Sequence, residues 1–274
     1  MGVGEQLKGA LDAIVPEAKV PQVSIVVPGL NESESLPILA EQIKEALAPD
    51  TTYELIFIDD GSTDNSWEVI SGLSAADPSV RGIRLRKNFG KAMALSAGFD
   101  RARAETVVMM DADLQDDPAD LPKMLEQLED GLDVVVGWKV DRKDPLNRRV
   151  FSFFFNKTVG IVTGTHLHDM NCGFKAYRRD VLKAIPIYGD LFRFIPALAN
   201  WQGFRVGEMP VHHRARQHGS SRYGLERILR GFFDLLSVAF LTRYLRKPMH
   251  LFGMLGLLFT LIGVGICGYL SVLW

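Results

Sequence analysis

The feature that most constrains this chain is an alternation that fills its first half. Short β-branched apolar runs give way, again and again, to segments with helical spacing. Residues 23–27 (VSIVV) and 53–58 (YELIFI) read as buried strands. Residues 81–86 predict a weaker strand, and 106–110 and 133–137 two more. Between them, 34–47, 88–102 and 121–128 carry helical spacing, and a further helix running to about residue 74 takes Ser62 or Thr63 as its cap. Strands alternating with helices predict an α/β fold, Rossmann-like, with a mostly parallel sheet and helices on both faces. In such sheets ligands bind beyond the carboxyl ends of the strands, near the point where strand order reverses. Three strands here end in polar or acidic loops, after Val27, Ile58 and Met110, and those loops are the candidate site.

The second half is less regular. Residues 148–162 suggest an amphipathic helix with a Phe-rich face, and 168–177 a loop leading into a strand. Residues 214–224 are polar, basic and glycine-containing, as in an exposed loop. Residues 225–245 predict a helix with a broad apolar face and Arg227, Arg230 and Asp234 on another, suited to a membrane interface.

From Leu251 to Trp274 no charged residue occurs. At 1.5 Å per residue that run spans roughly 35 Å, enough to cross a bilayer's hydrocarbon core. Arg243, Arg246 and Lys247 precede it, and positive flanks favour the cytoplasmic side, so the large N-terminal part is expected there. The chain stops where the apolar run stops, as if cut after a first span. Residues 1–20 carry Glu5, Asp12 and Glu17 and no long apolar stretch, which argues for a short lead-in helix rather than a signal peptide. The expected division is therefore a lead-in helix at 1–20, a catalytic domain at 21–222, an interfacial helix region at 223–247 and a transmembrane helix at 248–274. A net charge of −2 gives no general attraction to nucleic acid, and the basic loop near 214–222 has only Tyr223 for base stacking. Cys172 and Cys267 lie far apart in unlike surroundings, so no disulfide framework is expected. His212, His213 and His218 lack evident Cys or carboxylate partners, and zinc is not expected.

The chemistry concentrates after the fourth apolar run. Asp111, Asp113, Asp116 and Asp117 follow it within a few residues. Crowded like charges repel and need compensation, for which a hard divalent cation is the obvious candidate. Asp111, Asp113 and Gln115 alternate, and would face one site if the chain stayed extended. Mg2+ or Mn2+ takes such oxygen ligands and leaves positions for phosphate oxygens. Asp116, Asp117 and Asp120 read instead as a solvated turn capping the next helix. Asp59-Asp60-Gly61-Ser62 occupies the same place on another strand, where a carboxylate can accept from a base N–H or a ribose hydroxyl. Glu32, in Pro28-Gly29-Leu30-Asn31-Glu32, can accept from the nucleoside.

Together these motifs resemble glycosyltransferases of family 2 with the GT-A fold: Val27-Pro28-x-x-Asn31-Glu32, Ile58-Asp59-Asp60-Gly61-Ser62-x-Asp64 and Met110-Asp111-Ala112-Asp113-Leu114-Gln115. Asp169-x-x-x-Gly173-Phe174-Lys175-x-Tyr177-Arg178 and Arg216-x-x-Gly219-x-Ser221-Arg222-Tyr223 narrow the likeness to polyprenyl-phosphate hexosyltransferases of the dolichyl-phosphate mannose synthase group. The resemblance covers roughly residues 21–247. It implies that Pro28, Glu32, Ile58 (through its backbone) and Asp60 hold the nucleoside, that Asp111 and Ala112 run along ribose and pyrophosphate, and that Asp113 and Gln115 bind Mg2+ or Mn2+. It implies further that Lys139, Arg216 and Arg222 bind the donor, with Asp113, Lys139 and Arg216 central to catalysis. Arg148 and Ser152 would hold the acceptor phosphate, and Asp169 and Lys175 the sugar and acceptor side. The sequence departs from the pattern at Leu30, where a stacking tyrosine is usual, and at Lys139, Lys175 and Arg222, where swaps between lysine and arginine keep charge but change bidentate geometry.

The activity so implied is inverting transfer of a hexose, mannose or glucose, from GDP-mannose or UDP-glucose to dolichyl or undecaprenyl phosphate at the cytoplasmic membrane face. A phosphate monoester is already anionic near neutral pH and needs little help from a general base. The larger need is to bring two anions together and stabilise the leaving diphosphate, which a metal and cationic side chains do. A polysaccharide or another lipid is the alternative acceptor, but Trp201-Gln202 lacks the Gln-x-x-Arg-Trp pattern of processive synthases. A sugar-nucleotide-binding scaffold would be expected to have lost Asp111, Asp113 or Gln115, and all three are present. A two-fold or four-fold homo-oligomer would suit the interfacial helix.

Overall fold

The computed structural model describes residues 20–140, 156–161, 163–185, 189–214, 235–238, 240–241 and 248–274. The first half follows the expected alternation. β1 (Val23–Gly29) leads to α1 (Ser35–Ala46), β2 (Tyr53–Asp59) to α2 (Ser66–Ala76) and β3 (Val80–Arg84) to α3 (Lys91–Arg101). β4 (Thr106–Met109) leads through a 3-10 turn (Pro118–Asp120) to α4 (Leu121–Glu129), and β5 (Val134–Lys139) follows. β6 (Lys175–Arg178) and α5 (Arg179–Ala184) come next, then a 3-10 segment (Gly189–Phe194), α6 (Ile195–Gln202), β7 (Val206–Val211) and α7 (Pro248–Leu273).

Among the described residues, seven strands form one sheet in the order β3-β2-β1-β4-β6-β5-β7. β1 pairs in parallel with both β2 and β4, so the order reverses between β1 and β4. The one antiparallel member is β6, which inserts between β4 and β5 and sets Lys175 opposite Met109 and Val136. β7 was not foreseen from the sequence. It is an edge strand and carries Glu208 and Pro210, residues that break an apolar pattern but are tolerated where one side of the strand is unpaired.

Alternation along the strands explains the two helical layers. Val26 and Ile58 point to the face where α3 lies, close enough that a Cβ on Gly98 would come within 2.4 Å of Val26. Val27 and Phe57 point to the other face, toward Leu36 of α1 and Ile70 of α2. Ile25, Val26 and Val27 are all fully buried. A strand buried on both faces needs a continuous apolar run rather than an alternating one. Each such side chain contributes roughly 1.5–3 kcal/mol by leaving water.

Two helix starts differ from expectation. α3 begins at Lys91, because Gly90 (φ +91°) cannot continue a helix and residues 88–90 peel away as a loop. α2 begins at Ser66, because Ser62 is engaged elsewhere: its Oγ accepts the Asn31 N–H. Most of the expected interfacial helix lies outside the described residues. Where described, 235–238 and 240–241 are helical, with Leu235 and Val238 in the core and Leu236 exposed. The expected lead-in helix, apart from Val20, also lies outside the described residues. α7 contains Phe252–Leu273, a stretch long and apolar enough to cross a membrane and not buried by the rest of the protein. Its Thr260 and Ser271 hydroxyls donate to the carbonyls of Gly256 and Cys267, each 2.8 Å away, which satisfies those two donors within the helix.

At the end of the sheet opposite the candidate loops, Glu54 is buried in an ionic knot. It accepts from Ser24 Oγ (2.6 Å), from the Arg103 backbone N–H (2.7 Å) and from the guanidinium groups of Arg81 (2.7 Å) and Arg103 (2.9 Å). Burial works to raise its pKa, but these four donors prevail and hold it below the ordinary glutamate value of 4.5. Its contribution to stability is therefore complete above pH 4.5 and is lost as pH falls through the lowered folded-state pKa. Glu54→Gln should cost about 2 kcal/mol at neutral pH by denaturant unfolding. The gap between variant and wild type should close in acid.

Candidate active site

The loops after β1 and β2 are laced to each other by backbone donors and short polar side chains. Asn31 sits in the left-handed region (φ 58°), which asparagine tolerates. Its N–H donates to Ser62 Oγ (2.9 Å), and its Oδ1 accepts the Thr63 N–H (2.8 Å). Asp64 accepts from Ser33 N–H (3.3 Å) and Ser66 N–H (3.0 Å), and Ser66 Oγ accepts from Glu32 N–H (3.0 Å). Asp59 Oδ1 accepts the Ser62 N–H at 2.8 Å. Gly61 is required here: at φ +74° its backbone passes so near Lys87 that a Cβ would lie 2.4 Å from the Lys87 carbonyl carbon.

Asp60 ties this pair of loops to a third. Its two carboxylate oxygens accept the backbone N–H groups of Phe89 (2.8 Å) and Gly90 (2.9 Å). The side chain expected to meet a nucleoside therefore also shapes the 88–90 wall. Each oxygen keeps a second lone pair for a ligand.

Beyond β4 the chain does not stay extended. The strand ends at Met109, and the chain turns at residues 112–113, with buried Leu114 in the left-handed conformation (φ 59°). Asp111, Asp113 and Gln115 therefore do not share one strand face, contrary to the alternation argument. The Gln115 backbone N–H instead folds back on Asp113 Oδ1 at 3.2 Å.

A cleft of about 270 Å³ opens where these loops converge, at the switch point between β1 and β4. Pro28, Glu32, Asp60, Asp111, Ala112 and Asp113 line it, as the sequence predicts. Leu30 lines it as well, where the family pattern has an aromatic. The cleft also takes in Asn88, Gly90, Lys91 and Ala94, which sequence reasoning missed. The signal available was Gly90-Lys91, a glycine and a cation where a loop enters a helix after a strand. Ile58 does not line the cleft; its side chain is buried in β2 toward Gly98.

Lys139, Asp169 and Lys175, also expected at the site, lie with Asp116 in a deeper ionic cluster. Lys139 Nζ is 3.0 Å from Asp116 Oδ1, and the Asp116 side chain is almost completely buried rather than part of a solvated turn. Burial pushes the Asp116 pKa up to about 6; Lys139 opposes this, while Asp111 and Asp113 add to it. Burial disfavours the Lys139 ammonium, but Asp116, with Cys172 and Asp111, outweighs that and raises its pKa. Asp111 is paired with the Lys91 ammonium. Burial would raise the Asp111 pKa, but Lys91, with Lys139 and Lys175, holds it low. Asp169 and Lys175 are buried. Burial brings the Lys175 pKa down to about 8, Lys91 acting in the same direction and Cys172, Asp169 and Asp111 against it. Gly173 lies against Asp111, where a Cβ would come within 2.6 Å of Oδ2. The charge crowding after β4 is thus balanced in this structure by lysines.

The acidic turn is tied down rather than solvated. Asp117 caps the 3-10 turn through Ala119 N–H (3.1 Å) and pairs with Arg214 at 2.6 Å. Asp120 accepts the His212 backbone N–H at 2.7 Å and faces its Nδ1 at 3.0 Å, so a carboxylate partner does exist for that histidine. Arg148, Ser152, Arg216 and Arg222 lie outside the described residues.

A hard divalent cation fits this chemistry. Asp111 and Asp113 supply oxygen donors on the cleft wall. Among the described residues no group of three His, Cys, Asp or Glu side chains gathers into a metal cage. Mg2+ and Mn2+ need no such cage when one or two carboxylates are completed by substrate phosphates and water.

Comparison with known proteins agrees with the geometry. Over 262 residues the chain is 41% identical to dodecaprenyl-phosphate galacturonate synthase of Rhizobium johnstonii, covering 92% of this chain and 75% of that protein. It is 35% identical over 257 residues to undecaprenyl-phosphate 4-deoxy-4-formamido-L-arabinose transferase of Yersinia enterocolitica, covering 93% and 77%. The fold matches glucosyl-3-phosphoglycerate synthase from Mycobacterium tuberculosis, solved with Mn2+ and UDP-glucose, at a TM-score of 0.61 and 18% identity over 88% of this chain and 82% of that one. The model of the glycosyl transferase family 2 matches residues 24–185, and the chain belongs to that family.

Proposed function

We propose that the protein transfers a sugar from a nucleotide sugar to the phosphate of a polyprenyl phosphate, at the cytoplasmic face of a membrane in which α7 is anchored. The observation that carries this reading is the cleft at the β1–β4 switch point, lined by Pro28, Glu32, Asp60, Asp111, Ala112 and Asp113, in a chain so similar to two lipid-phosphate sugar transferases. The donor proposed is a nucleotide-linked hexose. GDP-mannose and UDP-glucose are joined as candidates by a nucleotide-linked galacturonate, after the relative's name.

In this reading Glu32 and Asp60 accept hydrogen bonds from the nucleoside, and Ile58 takes part through its backbone. Asp111 and Ala112 lie along the ribose and diphosphate. Asp113 and Gln115 would hold Mg2+ or Mn2+, which would supply positive charge to the leaving diphosphate. Lys139 is held ready by Asp116 and, with Arg216 and Arg222, adds cationic charge on the donor. Arg148 and Ser152 receive the acceptor phosphate, with Asp169 and Lys175 on the sugar side. A phosphate oxygen of the lipid attacks the anomeric carbon while the bond to the nucleoside diphosphate breaks, and the diphosphate leaves with the electron pair. One direct displacement inverts the anomeric centre.

Transfer of radiolabel from each of the three donors into detergent-solubilised polyprenyl phosphate tests this. One donor should label the lipid with Mg2+ or Mn2+ and not with EDTA, and Asp113→Ala should lose about 100-fold or more. Donor binding without any lipid label would overturn the acceptor assignment.

Lys175 adds a pH signature. If its cation serves the sugar and acceptor side, kcat/KM should fall through an apparent pKa of about 8. The sign for stability is opposite. The folded-state pKa lies below the unfolded 10.5, so the folded chain binds fewer protons between these values and the Lys175 contribution rises with pH. Alkaline loss of activity without loss of thermal stability is the expected pattern; a profile flat to pH 9.5 would remove Lys175 from that role.

A further inference from the structure

We propose that Lys91 is an internal stand-in for the divalent cation, holding the Asp111 carboxylate in the free enzyme, so that metal and Lys91 compete and the metal is taken up with the nucleoside diphosphate rather than before it. This rests on the metal-assisted donor site proposed above.

Three observations carry it. The Lys91 ammonium is paired with Asp111 Oδ1, and both side chains line the same cleft as Asp113. The ammonium is held from a second side by the Phe192 ring, 5.6 Å from Nζ to the ring centroid. Asp111 has little room to turn away, because the Gly173 backbone lies against its other oxygen with space only for a hydrogen. A cation held by Asp113 and Gln115 would sit beside the Asp111 carboxylate that Lys91 occupies, and the two positive charges would repel while sharing its negative charge.

A nucleoside diphosphate resolves the conflict. Its oxygens complete the metal's coordination and give the displaced ammonium a new anionic partner. Lys91 is at the first residue of α3, after Gly90, and is about one-third exposed, so its side chain has room to swing while the helix stays in place. Lys91 is thus a positioning residue that sets the order of loading and keeps the cleft carboxylates from scavenging metal.

The test titrates Mn2+ alone into the full chain in detergent, reading free Mn2+ by electron paramagnetic resonance, with no sugar or lipid present. Lys91→Met should bind Mn2+ about tenfold more tightly than wild type, and Lys91→Arg, which keeps the cation, should match wild type. Adding Asp111→Asn to Lys91→Met should cancel the gain. Saturating UDP or GDP, whichever binds, should narrow the gap, because the ammonium then sits on the diphosphate. Lys91→Met binding Mn2+ no more tightly than wild type would overturn the proposal. So would a gain that survives Asp111→Asn, or a gap unchanged by nucleotide. Failure of the functional reading would show separately, as no lipid product from any donor while these metal affinities still hold.

Discussion

Charge crowding at the carboxyl end of β4 is the constraint on which the site depends. A strand buried between β1 and β6 delivers Asp111, Asp113, Asp116 and Asp117 into a small volume, much of it closed to water. Carboxylates in such surroundings either take up protons or find cations. This protein supplies cations from three elements: Lys91 from α3, Lys139 from β5 and Lys175 from β6. Asp117 turns outward to Arg214. The antiparallel insertion of β6 follows the same logic, since it carries a buried lysine to the strand end where negative charge gathers.

Much of this was legible in the sequence. The strands of the first half announce themselves by β-branched runs, and three of their end loops converge as the alternation predicts. The GT-A likeness and the family 2 motifs pointed to the right class of enzyme. Hidden were features set by long-range contacts. β7 contains Glu208 and Pro210, and its pairing with β5 is a property of the edge and not of its own pattern. Asp116 reads as a surface turn because its neighbours do, while burial beside Lys139 is a tertiary fact. The turn at Leu114 defeats the alternation rule because a left-handed residue inside an apolar core leaves no local mark. Lys91 looks like any helix-start lysine until α3 is docked against the cleft.

In the proposed reading, the donor side and the ionic cluster divide the labour of a group transfer between two like-charged partners. The laced loops after β1 and β2 provide geometry, through backbone N–H groups, hydroxyls and the carboxylates of Asp59, Asp60 and Asp64. The deeper cluster provides charge, and its groups titrate near neutrality: Asp116 is pushed up to about 6 and Lys175 down to about 8. The proposed function would thereby keep recognition of the nucleoside apart from the electrostatics that respond to a leaving diphosphate.

The lacing of those loops bears on how mutagenesis of this family is interpreted. Asn31, Ser62, Asp64 and Ser66 spend their polar groups on each other's loops, and Asp60 holds the 88–90 wall. Truncating any of them would slacken the surface proposed to receive the nucleoside, even where the residue never meets it. An alanine scan would then draw a footprint larger than the substrate. True contacts would be told from braces by double-mutant cycles against trimmed nucleotides, since a brace stays equally costly whichever ligand group is missing.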